Sequence, residues 1–304
     1  ERSKGAVLST TINKYMYISS HRFFEPNKIR VKYSQTETVS NPDELEHRIL
    51  REALKAYGKK GIEISSIADV PSGTGMGSSS AFTVGLLHNL HAAEGRLVSK
   101  EQLAEEACRL EIEQLKEPIG KQDQYAAALG GMNVLRFLPN GKVTIEPVYM
   151  NNELWKALES HLVMFYTGQQ RSASKILAEQ KKNLPQNNRI EILRQMTLLV
   201  DELKEALVHG NLEAMGHLLH ENWMLKQQLA SGISNPLIAQ AYEAARSAGA
   251  LGGKLLGAGG GGFLLFFCAP QRQEKLKQAL HKLRTFDFAF ESEGSSLIYY
   301  GREQ

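Results

Sequence analysis

The spacing of apolar residues along the chain changes period repeatedly, and each change marks an element. Residues 61–67 (GIEISSI) alternate apolar and polar, the period of a half-buried strand. After a Gly/Ser loop, residues 79–94 recur at helical spacing. Upstream, residues 6–20 and 28–34 are rich in β-branched and aromatic residues and predict strands, with a turn near Glu25-Pro26-Asn27. Residues 43–57 place Leu45, Ile49, Leu50, Leu54 and Tyr57 on one helix face, with Asn41 as cap and Pro42 in the first turn. A helix over 99–116 starts at Ser99, with Gln102 three residues on as a capping box. A helix over 120–130 ends at Gly130-Gly131, and strands at 132–138 and 142–148 flank Pro139-Asn140-Gly141.

The second half predicts a strand at 161–167, then helices at 172–183, 187–209, 211–230 and 235–248. A strand at 263–269, a helix at 271–284 and a last strand at 296–300 complete the pattern. Mixed strands and helices in both halves, with hairpins in the first, predict an α+β chain of two lobes, 1–155 and 156–304. A chain of 304 residues has ample length for two cores. No stretch reaches the roughly 18 apolar residues of a membrane span, and the first residues lack the apolar core of a secretory signal. A cytoplasmic protein is expected.

Composition removes several function classes. The 36 basic and 33 acidic residues nearly cancel and form no dense Lys/Arg block, so nucleic acid is not an expected partner. The two cysteines, Cys108 and Cys268, lie far apart and fall in helix-like and strand-like runs; buried free thiols are expected of both. The nine histidines show no HExxH or similar metal spacing. His217 and His220 are three apart, but no third ligand accompanies them. Nothing in the pattern sets an oligomeric state.

One segment carries chemistry: Pro71-Ser72-Gly73-Thr74-Gly75-Met76-Gly77-Ser78-Ser79-Ser80, between a strand and a helix. Glycines allow positive φ and a close backbone approach to a ligand. Free N–H groups at a helix start, with the helix dipole, make an anion site. The serines add hydroxyls for phosphate or Mg²⁺. No Lys follows Gly77, so this is not GxxxxGK[ST], and the glycine spacing is not that of a dinucleotide fingerprint. A plain Gly/Ser turn ahead of a helix has the same composition. A second glycine turn, Gly257-Ala258-Gly259-Gly260-Gly261-Gly262, precedes an apolar strand. Ordering four consecutive glycines is entropically costly, so a tight backbone approach to a loop or ligand is expected there.

At these residues the chain resembles the GHMP kinase superfamily, which is marked by a PxxxGxGSS-type loop and a late GAGxGG-type turn. PSGTGMGSS and GAGGGG stand here in the family's order. Between them, Glu117-Pro118-Ile119-Gly120-Lys121-Gln122-Asp123-Gln124-Tyr125 is similar to the segment that carries the catalytic Asp in galactokinase-like members. EPIGKQDQYAAALGGMN, TTINKYMYIS and YTGQQRSASKIL most resemble the heptose 7-phosphate kinase group within it. The resemblance implies a two-lobed GHMP kinase fold, with a ribosomal-S5-like N-terminal lobe and a ferredoxin-like C-terminal lobe. It implies ATP and Mg²⁺ as cofactors and a small sugar phosphate as substrate, phosphorylated on its anomeric hydroxyl. Another sugar kinase of the fucose or galactose type, or a non-catalytic nucleotide or sugar sensor, are the alternatives.

Residue by residue, the resemblance implies nucleotide binding by Pro71, Gly73, Thr74, Gly75, Met76, Gly77, Ser78, Ser79 and Ser80. It implies Mg²⁺ binding by Ser79, with Ser78 as rival, and by Glu111, which lies 12 positions before Asp123. Glu113 points to the opposite helix side, so only one of these two carboxylates can face the site. Asp123 is the expected base that takes or orients the sugar proton. Lys121, Arg171, Gly259 and Gly260 are the expected substrate contacts, with Lys14, Arg22 and Lys175 as rivals for a sugar phosphate. The family's first motif, an apolar strand ending in a GGGTD-like turn, belongs just before Gly5-Ala6-Val7-Leu8-Ser9, and the sequence given opens only four residues earlier, at Glu1.

Overall fold

A computed structural model describes residues 5–169 and 186–301. The helix expected at 172–183 lies outside the described residues. By contacts the chain forms two compact units that interleave along the sequence rather than parting near 155. One draws on Glu1–Asn13, Ser72–Met76 and Gly131–Phe290; the other draws on Lys14–Pro71, Gly77–Gly130 and Glu291–Gln304.

In the first part of the chain β1 (Gly5–Ile12) and β2 (Met16–Arg22) replace the single expected strand over 6–20. The run of β-branched residues hides a break at Asn13, where the chain passes from one unit to the other. Asn13 exchanges hydrogen bonds with the backbone of Ala289, its N–H donating at 2.9 Å and its Oδ1 accepting at 2.8 Å. The stretch at 28–34 is the first arm of a hairpin, β3 (Ile29–Lys32) and β4 (Thr36–Val39). Asn41 caps only a short 3₁₀ turn at Pro42–Glu44, and α1 (Arg48–Ala56) begins later, capped by His47. Its face buries Leu50, Ala53 and Leu54.

β5 (Ile62–Ala68) pairs antiparallel with β2 and parallel with β3, giving the order β2-β5-β3-β4. A parallel pair needs a crossover, and α1 supplies it. Helices α2 (Ser78–Ala93) and α3 (Lys100–Cys108) follow. Leu86 and Leu90 of α2, Leu103 of α3 and Ile64 of β5 are all fully buried in this unit. The capping box at Ser99 and Gln102 is present. After Cys108 the helix widens to a π-helical turn at Arg109–Gln114. α4 (Gln122–Leu129) ends at Gly130, whose φ is +73°.

In the other unit β6 (Met132–Phe137) and β7 (Val143–Pro147) form a hairpin, with β6 also antiparallel to β1. α5 (Asn152–His161), which the sequence pattern did not reveal, leads into β8 (Leu162–Tyr166). Three longer helices follow: α6 (Gln186–Val208), α7 (Leu212–Gln227) and α8 (Pro236–Ala248). β9 (Gly252–Leu255) and β10 (Phe263–Phe267) come next. A 3₁₀ turn and α9 (Gln273–Ala279) shorten the expected helix at 271–284. The short strands β11 (Arg284–Phe286) and β12 (Phe290–Glu291) follow. The sheets run β12-β1-β6-β7 and β11-β8-β10-β9. One core packs Phe165, Phe266, Trp223 and Tyr242 around Ile233 and Ile238; a second gathers Val134, Leu158, Leu207 and Phe267.

The strand expected at 296–300 is absent. Ser295 is tied down, its N–H donating to the carbonyl of Ala127 (3.0 Å) and its Oγ bonded to His88 Nδ1 (2.8 Å). Beyond it Ile298 and Tyr299 are more than four-fifths exposed. Their β-prone sequence finds no ladder partner among the described residues. Cys108 and Cys268 are free and buried, and burial pushes the Cys108 thiol up to about 12, far from the reactive thiolate range. No helix among the described residues is long and apolar enough to cross a membrane.

Candidate active site

The glycine-rich loop belongs to one unit through Met76 and to the other from Gly77. Gly73, Gly75 and Gly77 have φ of +75°, +79° and +70°, so all three use the left-handed region open to glycine. Gly77 caps α2 without a side chain. No described residue accepts from the N–H groups of Ser78, Ser79 or Ser80, while Ala81 N–H bonds to Gly77 O (2.9 Å). Three free amides therefore open at the positive end of a 16-residue helix, which is the physical requirement for an anion site.

Within the same unit three acidic and amide side chains converge on this helix start. Glu111, on the π-helical turn, is 1% exposed. Its carboxylate accepts from Ser79 Oγ at Oε1 (2.9 Å) and from Ser80 Oγ at Oε2 (2.9 Å). Gln124 Nε2 donates to the same Oε2 at 2.6 Å. Glu113, two positions on, is exposed on the opposite side, as helical geometry requires. Of the two serines weighed against each other, Ser79 lies on Glu111 and Ser78 lies outside that network.

Asp123 sits in the first turn of α4. A Cβ added to Gly77 would stand 3.4 Å from Asp123 Cβ and 3.7 Å from its Oδ2, so this carboxylate lies against the backbone that opens α2. Gln122 Nε2 donates to Asp123 Oδ1 at 3.1 Å. Lys121 precedes this helix and is half-buried. The segment before α4 is held by Arg48, which donates to Glu117 Oε1 (2.6 Å) and to the carbonyl of Leu115 (2.6 Å).

In the other unit the late glycine turn meets the first half of the loop. A Cβ on Gly257 would stand 2.5 Å from Gly75 Cα, and one on Gly262 would stand 2.1 Å from Thr74 O. Only glycine permits two backbones this close. Thr167 fastens the turn, its N–H and Oγ1 both donating to Gly262 O at 2.9 Å. Lys226 Nζ donates to the carbonyls of Leu255 (3.1 Å) and Gly257 (2.5 Å). Gly259 lies against Ile233, and Gly260 N–H donates to Ile233 O at 2.9 Å. Arg171 and Lys175 lie outside the described residues. Gln124 and Thr167 were not found from the sequence. The adjacency of Gln124 to Asp123 is its one signal; Thr167 has none.

The donor set at Ser79 and Glu111 is hydroxyl and carboxylate oxygen, which suits Mg²⁺. Among the described residues no three His, Cys, Asp or Glu side chains cluster as a metal cage. That is compatible with Mg²⁺, which takes one or two carboxylates and completes its shell with phosphate and water.

A helix start whose first three amides have no described partner, beside a buried carboxylate, has the chemistry to hold a phosphate group and a divalent cation. Residues 45–131 match the GHMP kinases N terminal domain and residues 203–286 match the GHMP kinases C terminal. The chain belongs to the GHMP kinases and is a phosphotransferase that acts on an alcohol group. It is 30% identical to a D-glycero-alpha-D-manno-heptose 7-phosphate kinase from Campylobacter jejuni, over 97% of this chain and 91% of the relative. It is similar to a crystal structure described as a D-glycero-D-manno-heptose 1-phosphate kinase from Bacteriodes thetaiotaomicron. That match has a TM-score of 0.78 and 25% identity, over 98% of this chain and 92% of the other. The fold is also that of a Streptococcus pneumoniae phosphomevalonate kinase, with a TM-score of 0.77 over 94% of this chain and 93% of the other at 18% identity.

Proposed function

We propose that the chain transfers the γ-phosphoryl group of ATP to the anomeric hydroxyl of D-glycero-D-manno-heptose 7-phosphate. The products are the 1,7-bisphosphate and ADP, for surface-polysaccharide synthesis. What carries the reading of the site is the buried Glu111 beside Ser79 at a helix mouth whose first three amides have no described protein partner. What favours a heptose phosphate is the resemblance to the Campylobacter relative along nearly the whole chain.

In this reading the amides of the loop from Gly73 to Ser80 hold the ATP phosphates, and Thr74, Met76 and Pro71 shape the loop around them. Ser79 Oγ and Glu111 hold Mg²⁺, which supplies charge neutralisation on the phosphate oxygens. Asp123 takes the proton of the sugar hydroxyl as its oxygen bonds to the γ-phosphorus. The bond from phosphorus to the bridging oxygen breaks, and ADP leaves with that electron pair. A positioned carboxylate base contributes about 10²–10⁴-fold. Lys121, Gly259, Gly260 and Arg171 are the substrate-side candidates. A cation for the 7-phosphate is required by charge, and an Arg fork suits it.

The test is ADP release over a panel of sugars and sugar phosphates at fixed Mg-ATP. Turnover on heptose 7-phosphate, well above that on unphosphorylated fucose or galactose, is expected. Turnover on fucose or galactose with none on the heptose would replace this substrate with another of the family. No turnover on any sugar, with nucleotide still bound, would favour a sensor.

A further inference from the structure

We propose that Gln124 is a positioning residue that sets which oxygen of Glu111 is offered to the metal. The inference rests on the reading in which Ser79 and Glu111 hold Mg²⁺. Gln124 and Glu111 are almost completely buried, at 0% and 1% exposure. Gln124 Nε2 donates to Glu111 Oε2, so the side-chain amide turns its NH₂ toward the carboxyl group and its Oε1 away from it. Glu111 Oε2 then accepts twice, from Gln124 Nε2 (2.6 Å) and Ser80 Oγ (2.9 Å). Among the described residues Glu111 Oε1 accepts from Ser79 Oγ alone (2.9 Å).

The two oxygens are therefore unequal. Oε2 is engaged by two donors and Oε1 by one, from Ser79, the serine at the candidate metal position. Without Gln124 the carboxylate would be free to rotate about its last bond and share Ser80 between its oxygens. A carboxylate that ligates a metal is commonly held by just such outer partners.

A second observation points the same way. Gln124 Oε1 is buried and has no hydrogen-bond partner among the described residues. Buried polar atoms are nearly always paired, and an orphan calls for a reason. A glutamine that only filled the core would leave nothing gained by carrying this oxygen. Leaving this oxygen unpaired is a cost of the fold, and the donor that the same amide places on the buried Glu111 offsets it.

The experiment measures Mn²⁺ binding to the full chain with ADP by electron paramagnetic resonance. The variants are Gln124→Met and Gln124→Asn, with Glu111→Gln as reference, and metal-free melting is recorded for each. Methionine matches the length of glutamine without its donors; asparagine keeps the amide one carbon short. Both are expected to weaken Mn²⁺ binding by roughly 10–100-fold, while ADP affinity without metal stays near wild type and metal-free melting stays cooperative, lowered no further than in Ser80→Ala, which removes the other donor to the same oxygen. Wild-type Mn²⁺ affinity in either variant, with Glu111→Gln impaired, would overturn the role of Gln124 and leave the metal reading standing. Wild-type affinity in Glu111→Gln would overturn the metal reading itself. Failure of both Gln124 variants to fold would assign the residue to the core and also overturn the proposal.

Discussion

Substituting Gly262 by alanine separates backbone strain from backbone crowding at the loop. Gly262 has a φ of +103°, outside the favoured left-handed well, and its added Cβ would stand 2.1 Å from Thr74 O and 2.8 Å from Thr74 C. Those atoms are backbone and cannot rotate away. Gly262 cannot retreat either, because its N–H is held by Thr167 Oγ1 (3.0 Å) and by Gln169 O (2.9 Å). A left-handed conformation costs alanine roughly 1–2 kcal/mol, and forced overpacking adds about 1–3 kcal/mol. The sum, about 2–5 kcal/mol, is a large share of the roughly 5–15 kcal/mol of a typical domain. Gly58 is the control: its φ is +59°, and nothing lies within 4 Å of its added Cβ. Gly58→Ala should cost only the strain term, about 1–2 kcal/mol. Urea unfolding of both variants supplies the comparison, and ATP-analogue titration shows whether moving Thr74 disturbs the loop. The reasoning fails if Gly262→Ala costs no more than Gly58→Ala and nucleotide affinity is unaltered.

Asp123→Asn should lower turnover about 10²–10⁴-fold with little change in ATP affinity; steady-state kinetics with a binding titration check it, and unchanged turnover refutes the base assignment. Ser80→Ala removes one of two donors to the buried Glu111 Oε2 and should cost about 1–3 kcal/mol in metal-free unfolding. Ser78→Ala, outside that network, should cost under about 0.5 kcal/mol in the same measurement. Hydrogen bonds from Arg136 and then Lys204 hold the Glu146 carboxyl down to about 2, against an ordinary value of 4.5. The unfolded chain therefore binds this proton first, and the contribution of Glu146 is full above about pH 4.5 and lost as pH falls toward 2. Melting of wild type and Glu146→Gln should thus differ at neutral pH and converge across that window; a constant difference would contradict it.

Much of the site was legible because its chemistry depends on backbone. Three alternating glycines and a serine run before an apolar helix predict a tight helix start, and Gly73, Gly75 and Gly77 all have the positive φ that such a turn needs. The capping box at Ser99 and Gln102 and the hairpin around Pro139-Asn140-Gly141 are local signals and were equally readable. What the sequence concealed depends on partners distant in the chain. A continuous β-prone run over 6–20 does not reveal that its two halves join different sheets. Residues 296–300 have strand composition, but a strand exists only beside another, and no described residue pairs with them. β4 is polar and short, so its membership in a hairpin came from its pairing with β3 rather than from periodicity. The convergence of Ser80, Glu111 and Gln124 joins three separate segments, and a spacing of residues cannot encode which oxygen of Glu111 each one meets.

The central claim is that the amides opening α2 wrap a polyphosphate next to Glu111. A crystal structure with Mg²⁺ and a non-hydrolysable ATP analogue tests it most directly. The account predicts phosphate oxygens within hydrogen-bond distance of the N–H groups of Ser78, Ser79 and Ser80, with the ion on Ser79 Oγ and Glu111 Oε1. A triphosphate bound elsewhere, with this helix mouth open to water, would contradict it.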